Sequence, residues 1–300
     1  MSQSKCFGML VACMFVISAQ AEPKWPLPKD VKTVEVNGYE MAYQETGSGS
    51  PLVLVHGALA DYRVWYAQVP EFAKTYRVIA VSLRHYYPEK WDGKGDDFSI
   101  EQHATDVVAF IRKLNLGKVH LLGHSRGGAV VVNVAKQSPD VIRTLILEDA
   151  SGLETLLPKT PESQKLAAET KPPGETLARN LATGNLEMAA QVFADSQGGP
   201  GTWSKRTPEQ KQIVFDNLGT ALKATGRPPT TCEQIVKFNF PILLLNGERS
   251  PRRYGEMFAA MRKCKDIPEP IIIPNAAHSM NRDNPPAFNA AVFDFLSRYK

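Results

Sequence analysis

Charge of one sign is in short supply in this 300-residue chain: 35 Lys and Arg face 31 Asp and Glu, a formal net charge of +4. The basic residues are scattered rather than gathered into a stripe with interleaved aromatics, which argues against a nucleic-acid partner. No internal repeat or low-complexity tract is present. The apolar run near the N-terminus, CFGMLVACMFVIS, falls short of the roughly 20 residues that a bilayer-spanning helix needs. Cysteine is sparse, at four residues, and two of those lie in that run. What remains is ordinary for a soluble protein with a sizeable core: 43% apolar and 22% charged residues.

Lys5 precedes the apolar run, and AQA followed by the proline-rich EPKWPLPKD comes after it. That is the pattern of a secretory leader, with cleavage expected after Ala21. Residues 1–21 are therefore read as a signal peptide and the mature protein as secreted or periplasmic, with no stable membrane anchor after cleavage. A retained anchor, or a lipoprotein signal built on Leu10, Val11, Ala12 and Cys13, are the alternatives. Cys6 and Cys13 leave with the leader, so Cys232 and Cys264 stand alone in an oxidising setting. A disulfide between them and a pair of buried free thiols are equally open.

After the leader, VKTVEVNGYEMAYQET alternates around Asn37-Gly38, which predicts a β-hairpin. PLVLVHG, RVIAVSL, KVHLLGH, RTLILED, PILLLNG and EPIIIP are short continuous apolar runs, the signature of strands buried on both faces. Helical periodicity lies between them at residues 100–114 and 126–137, and PPAFNAAVFDFLSRY closes the chain as a helix. The alternation predicts an α/β fold with a mainly parallel, doubly wound sheet. Residues 22–150 and 237–300 form the core; residues 151–236, proline-punctuated and without an apolar strand, form a small helical cap.

Gly123-His124-Ser125-Arg126-Gly127 matches G-x-S-x-G between a predicted strand and a predicted helix. Such a turn lifts a serine hydroxyl above the sheet, and glycine allows the backbone to approach closely because it has no Cβ. Ser125 is thus the candidate nucleophile. The backbone N–H groups of Arg126 and of Ala58, or Leu59, in HGALA are candidates for an oxyanion hole. A serine needs a base. His278, in a loop of small and turn-forming residues after the last strand, is the candidate; His56 is read as a loop brace, and His85, His103 and His120 as structural or pocket residues. His124 is too near Ser125 to act as its base and is assigned to the substrate pocket with Leu59.

The segments HGALADYRVW, GHSRGG and NAAHSM, in that order, resemble the α/β-hydrolase superfamily over nearly the whole mature chain. The resemblance implies a serine hydrolase without metal or organic cofactor. It disfavours haloalkane dehalogenases and epoxide hydrolases, whose elbow position carries a carboxylate. Many members place the triad acid after the penultimate strand, where this chain has Ser250 in NGERSPRRY, a hydroxyl unable to replace a carboxylate. Other members carry the acid after the strand that follows the nucleophile helix, which points to Asp149 in LILEDAS, with Glu148 and Glu248 as alternatives. Substitutions of Ser250 are expected to matter little.

Tyr86, Trp91 and Trp203 are candidates for lining the substrate pocket, and Arg252 and Arg253 read as a solvated helix start. The expected function is hydrolysis of a carboxylic ester, thioester or lactone of a small to medium molecule through an acyl-enzyme. Carbon–carbon bond hydrolysis or cofactor-free peroxidation on the same triad, or a hydrolase-like binding protein without turnover, are the alternatives.

Overall fold

The apolar runs pair into one eight-stranded sheet in the computed structural model, which describes residues 25–169, 174–223, 226 and 228–299. The expected leader, residues 1–21, lies outside the described residues. In chain order the strands are β1 (Lys32–Val36), β2 (Tyr39–Thr46), β3 (Pro51–Val55), β4 (Arg77–Val81), β5 (Val119–His124), β6 (Ile142–Glu148), β7 (Ile242–Gly247) and β8 (Ile271–Ile273). Their spatial order is β1-β2-β4-β3-β5-β6-β7-β8. The β1–β2 and β2–β4 pairs are antiparallel and all others parallel. Asn37 and Gly38, both with positive φ (51° and 73°), form the hairpin turn.

The strands are apolar on both faces because helices cover both. Val53 and Val55 of β3, Ile79 and Val81 of β4 and Leu145 and Leu147 of β6 pack into one layer. Their alternate neighbours Leu52, Leu54, Val78, Ala80 and Ile146 pack into the other. Each such burial contributes about 1.5 to 3 kcal/mol. Short α1 (Val69–Phe72) lies beside β4, and α2 (Ile100–Lys113) and α3 (Arg126–Gln137) follow. Ser99 caps α2 by accepting the Gln102 N–H, and Ile100, Ala104, Val107, Val108 and Ile111 form its buried stripe.

Between β6 and β7 the described residues contain helices and no strand: α4 (Pro161–Glu169), α5 (Gly174–Ala182), α6 (Leu186–Gly198), α7 (Pro208–Asp216) and α8 (Cys232–Val236). Thr207 with Gln210, and Thr231 with Gln234, close capping boxes at the starts of α7 and α8. Ala190, Ala194, Trp203, Val214 and Leu218 make a small apolar cluster of the insertion's own, and Leu59 from the loop after β3 joins it. The sheet side is completed by α9 (Arg252–Cys264), α10 (Met280–Asp283) and α11 (Pro285–Ser297). Cys232 and Cys264 form a disulfide between α8 and α9, with Cα atoms 4.9 Å apart. No helix among the described residues is long and apolar enough to cross a membrane.

Winding reverses at β3. From it the chain moves outward to β4, then returns to place β5 on the other side. The crevice beyond the carboxyl ends of β3 and β5 is a topological switch point, where open α/β sheets bind their ligands.

Candidate active site

Ser125 stands at that crevice, in a one-residue turn between β5 and α3, with φ 52° and ψ −115°. A non-glycine residue there is strained and persists only where its surroundings hold it. Backbone hydrogen bonds do so. The Ser125 N–H donates to the Glu148 carbonyl at 2.9 Å, and the Ser125 carbonyl accepts from the N–H groups of Gly128 and Ser151, each at 2.9 Å. The flanking glycines make the turn possible. A Cβ on Gly123 would lie 2.6 Å from the Gly127 carbonyl oxygen, and one on Gly127 would collide with the carbonyl oxygens of Val55 and His56.

His278 lies between β8 and α10, its loop pinned by the Ala277 N–H donating to Asp283 Oδ2 at 2.8 Å. Its ring stacks on Tyr254 (centroids 4.6 Å apart, planes 16° apart) and packs against His124 at 4.8 Å. The His278 carbonyl oxygen lies 2.8 Å from His124 Nε2, which therefore donates to it. Held this way, His278 Nε2 is 2.9 Å from Ser125 Oγ, and Nδ1 is 3.1 Å from Asp149 Oδ2. Nδ1–H donates to the carboxylate, which leaves Nε2 as an acceptor for the serine proton.

Asp149 is also in the left-handed region, φ 38°, where its N–H donates to the Leu245 carbonyl at 3.0 Å. Asn246 Nδ2 donates to its Oδ1 at 2.6 Å. Ser250 stands beside the same carboxylate and lowers its pKa, while Ser250 Oγ accepts the Gly247 N–H at 3.0 Å. β6 and β7 are adjacent, and the end of one supplies the acid while the end of the other supplies the groups that hold it. Ser250, in the position where many family members carry the acid, thus stands beside the acid that β6 supplies. Glu148, pointing to the opposite face as strand alternation requires, accepts the Asn281 N–H at 3.0 Å through Oε1. Glu248 is exposed and accepts the Asn275 N–H at 2.7 Å. Neither alternative acid is hydrogen-bonded to His278.

Burial dominates the protonation of the cluster. It pushes the His278 imidazolium downward, with the charges of Arg253 and Arg282 acting in the same direction, so the ring is a neutral base. Burial pushes Asp149 upward; the Ser250 and Asn246 donors and the Arg253 charge oppose it. Glu148 is driven well above the carboxylate range by burial, against the Asn281 N–H and reinforced by Asp149. Burial raises both carboxyl groups, and of the two Asp149 is the one that faces the imidazole.

The loop after β3 packs directly on Ser125: a Cβ on Gly57 would lie 3.2 Å from Ser125 Cβ. Leu59 in that loop has φ 51°. Arg126 opens α3 directly after Ser125. Ala58, Leu59 and His124 line a cavity of about 20 Å³ together with Phe193, Arg206 and Arg282. A larger cavity of about 350 Å³, bordered by His278, shares Arg206 and Arg282 with the smaller one.

Three aromatic pocket candidates are placed elsewhere. Tyr86 is in the core, edge-on to His56 at 4.6 Å. Trp91 stacks flat on His85 at 4.3 Å, and Trp203 is buried in the insertion's own cluster. All three line neither of these two cavities, because neighbouring rings already cover their faces. His56 braces its loop, accepting the Leu83 N–H at Nε2 (3.0 Å) with Nδ1 2.8 Å from the Gly57 carbonyl oxygen. His103 and His120 bond to the Arg84 carbonyl oxygen and to Thr144 Oγ1. Arg253 is corrected too: it is buried, 3.2 Å from Glu154 Oε1, whereas Arg252 is exposed as expected. Sequence reasoning missed Asn246 and Tyr254 as well. The polar Asn246 at the end of a wholly apolar strand was the available signal.

A sheet of eight mostly parallel strands, with a serine in the turn beyond its fifth strand and a histidine beyond its last, defines a hydrolase-type α/β protein. The alpha/beta hydrolase family matches residues 52–291, and the chain belongs to that family and is a hydrolase. It is 24% identical over 275 residues to the (E)-2-((N-methylformamido)methylene)succinate hydrolase of Acinetobacter baylyi, covering 88% of this chain and 97% of that one. Among solved structures, a thermophilic esterase from Thermogutta terrifontis with malate bound superposes with a TM-score of 0.71 at 24% identity, covering 90% and 97% of the two chains. Carboxylesterase CesB from Bacillus subtilis gives 0.68 at 20% identity, covering 91% and 93%.

Proposed function

We propose that the protein is an exported serine hydrolase that cleaves a carboxylic ester, thioester or lactone through an acyl-enzyme. The observation that carries this reading is the continuous chain Ser125 Oγ, His278 Nε2, His278 Nδ1, Asp149 Oδ2, at 2.9 and 3.1 Å. His278 takes the serine proton as Oγ attacks the carbonyl carbon, and Asp149 stabilises the imidazolium that forms. The N–H groups of Ala58 and Arg126 receive the oxyanion; such donors contribute about 3 to 4 kcal/mol each to the transition state. His278 then returns the proton to the leaving group, and water repeats the sequence on the acyl-enzyme. The helical insertion serves as a cap over this centre, with Leu59 joining the two.

Export is supported by the leader pattern of residues 1–21 and by the Cys232–Cys264 disulfide, a bond that persists in oxidising compartments. Hydrolysis of a bond other than an ester on the same three residues is favoured by the Acinetobacter relative, whose name is that of a hydrolase of a methylene-succinate. Labelling with a fluorophosphonate probe tests the nucleophile. The folded protein is expected to take up one probe per chain on the peptide that contains Ser125, and Ser125→Ala none. Labelling that persists in Ser125→Ala contradicts the assignment.

A further inference from the structure

Two guanidinium groups beside the site have no role in the steps above. Arg206 comes from the loop between α6 and α7 of the insertion, and Arg282 from α10, four residues after His278. Both line the cavity of about 350 Å³ that His278 borders, and both line the small cavity at Ala58 and Leu59. They therefore stand where the two spaces meet, with His278 on the wall of the larger one and His124 on that of the smaller. Lys205 and Arg249 add positive charge to the larger cavity, and Asp283 is the one acidic side chain among its lining residues.

Neither arginine has a carboxylate partner within ion-pair distance among the described residues. Arg282 Nη2 donates to the neutral Ser279 Oγ at 2.6 Å. Arg206 lies over the Trp203 ring, 5.6 Å from its centroid. The nearby acids are otherwise engaged: Asp283 accepts the Ala277 N–H at 2.8 Å, Asp195 accepts the Trp203 N–H at 2.9 Å, and Glu148 is buried against Asn281. Burial, followed by the charge of Arg282, pushes Arg206 down to about 9, against the smaller effects of the Asp283 and Asp195 charges. Holding two partly desolvated cations close together is costly unless an anion joins them.

We propose that Arg206 and Arg282 form a subsite for a carboxylate on the substrate, so that the preferred substrate is an acidic ester. The claim rests on the hydrolase reading and deepens it. Guanidinium matches a carboxylate through two parallel N–H···O bonds, a geometry that fixes orientation as well as charge. One arginine belongs to the insertion and the other to the core. The anion therefore ties the cap to the catalytic side of the sheet as it places the scissile carbonyl at Ser125.

The test compares two matched esters, p-nitrophenyl hydrogen glutarate and p-nitrophenyl pentanoate, with glutarate binding measured separately by titration calorimetry. Wild type is expected to favour the acidic ester by about tenfold or more in kcat/KM, as one charge-assisted pair of hydrogen bonds implies. That ratio is expected to collapse about tenfold in Arg206→Gln and in Arg282→Gln, and to be retained in part in Arg206→Lys. Lys113→Gln, on the far surface, controls for altered charge. Because the ratio is taken within each variant, losses of folded protein cancel. Glutarate affinity is expected to fall in the same two glutamine variants. Absence of hydrolysis with glutarate binding intact refutes the hydrolase reading and leaves the anion subsite standing. Equal rates on both esters with no glutarate binding, or a ratio unchanged in both glutamine variants, overturns the subsite.

Discussion

Asp149 is held from two places in the chain: the His278 imidazole, and the end of β7 with its Leu245 carbonyl, Asn246 amide and the Ser250 side chain just beyond. Asp149→Asn is expected to lower kcat about 10³- to 10⁴-fold, because the wrong imidazole tautomer is then held and the imidazolium loses its counter-charge. Ser250→Ala removes one donor to a charged acceptor and is expected to cost about tenfold in kcat/KM. The two variants differ in pH dependence. The Ser250 hydroxyl lowers the pKa of Asp149, so its removal makes the dyad easier to protonate. The acid limb of kcat/KM then moves to higher pH in Ser250→Ala, and an unmoved limb contradicts the contact. Ser125, His278 and the loop after β3 were legible because each sits beside a strand end and a recognisable turn. The acid was only narrowly legible. Glu148 and Asp149 are adjacent, and a strand end uncertain by one residue exchanges the faces they occupy.

At the scale of elements, continuous apolar runs identified the strands, since a parallel sheet covered on both sides leaves no polar face to interrupt the pattern. The start of α9 was misread for want of a period. Arg253 shares the inward stripe with Tyr254, Met257 and Met261, spaced along the helix so as to face the core, and that stripe carries the arginine to Glu154. Clustered aromatics were equally deceptive: Trp91, His85 and Phe98 stack on one another, so the loop consumes its own rings. The Cys232–Cys264 bond joins the end of the insertion to α9 across a separation of 32 residues. Closing a loop of that size in the unfolded chain stabilises the fold by about 3 to 4 kcal/mol. Cys232→Ser is accordingly expected to lower the urea midpoint by that free energy divided by the m-value, and an unshifted midpoint contradicts it.

Over the whole molecule, sheet order decides where chemistry can occur. The reversal at β3 opens a crevice at the carboxyl ends of β3 and β5, and Ser125, His278 and Asp149 reach it from three separate segments. The insertion packs on Leu59 of the loop after β3, and its Arg206 shares a cavity with His278. Substrate choice was illegible in the sequence because the two arginines are 76 positions apart (282 − 206) and meet only through the fold. The proposed reaction turns most on a covalent intermediate at Ser125. Acid quench during turnover of a p-nitrophenyl ester, followed by mass spectrometry of the intact protein and its peptides, measures this directly. One acyl group per chain, mapped to Ser125, is expected in wild type and none in Ser125→Ala. Turnover with no acyl adduct, or an adduct mapped to another residue, would contradict the account.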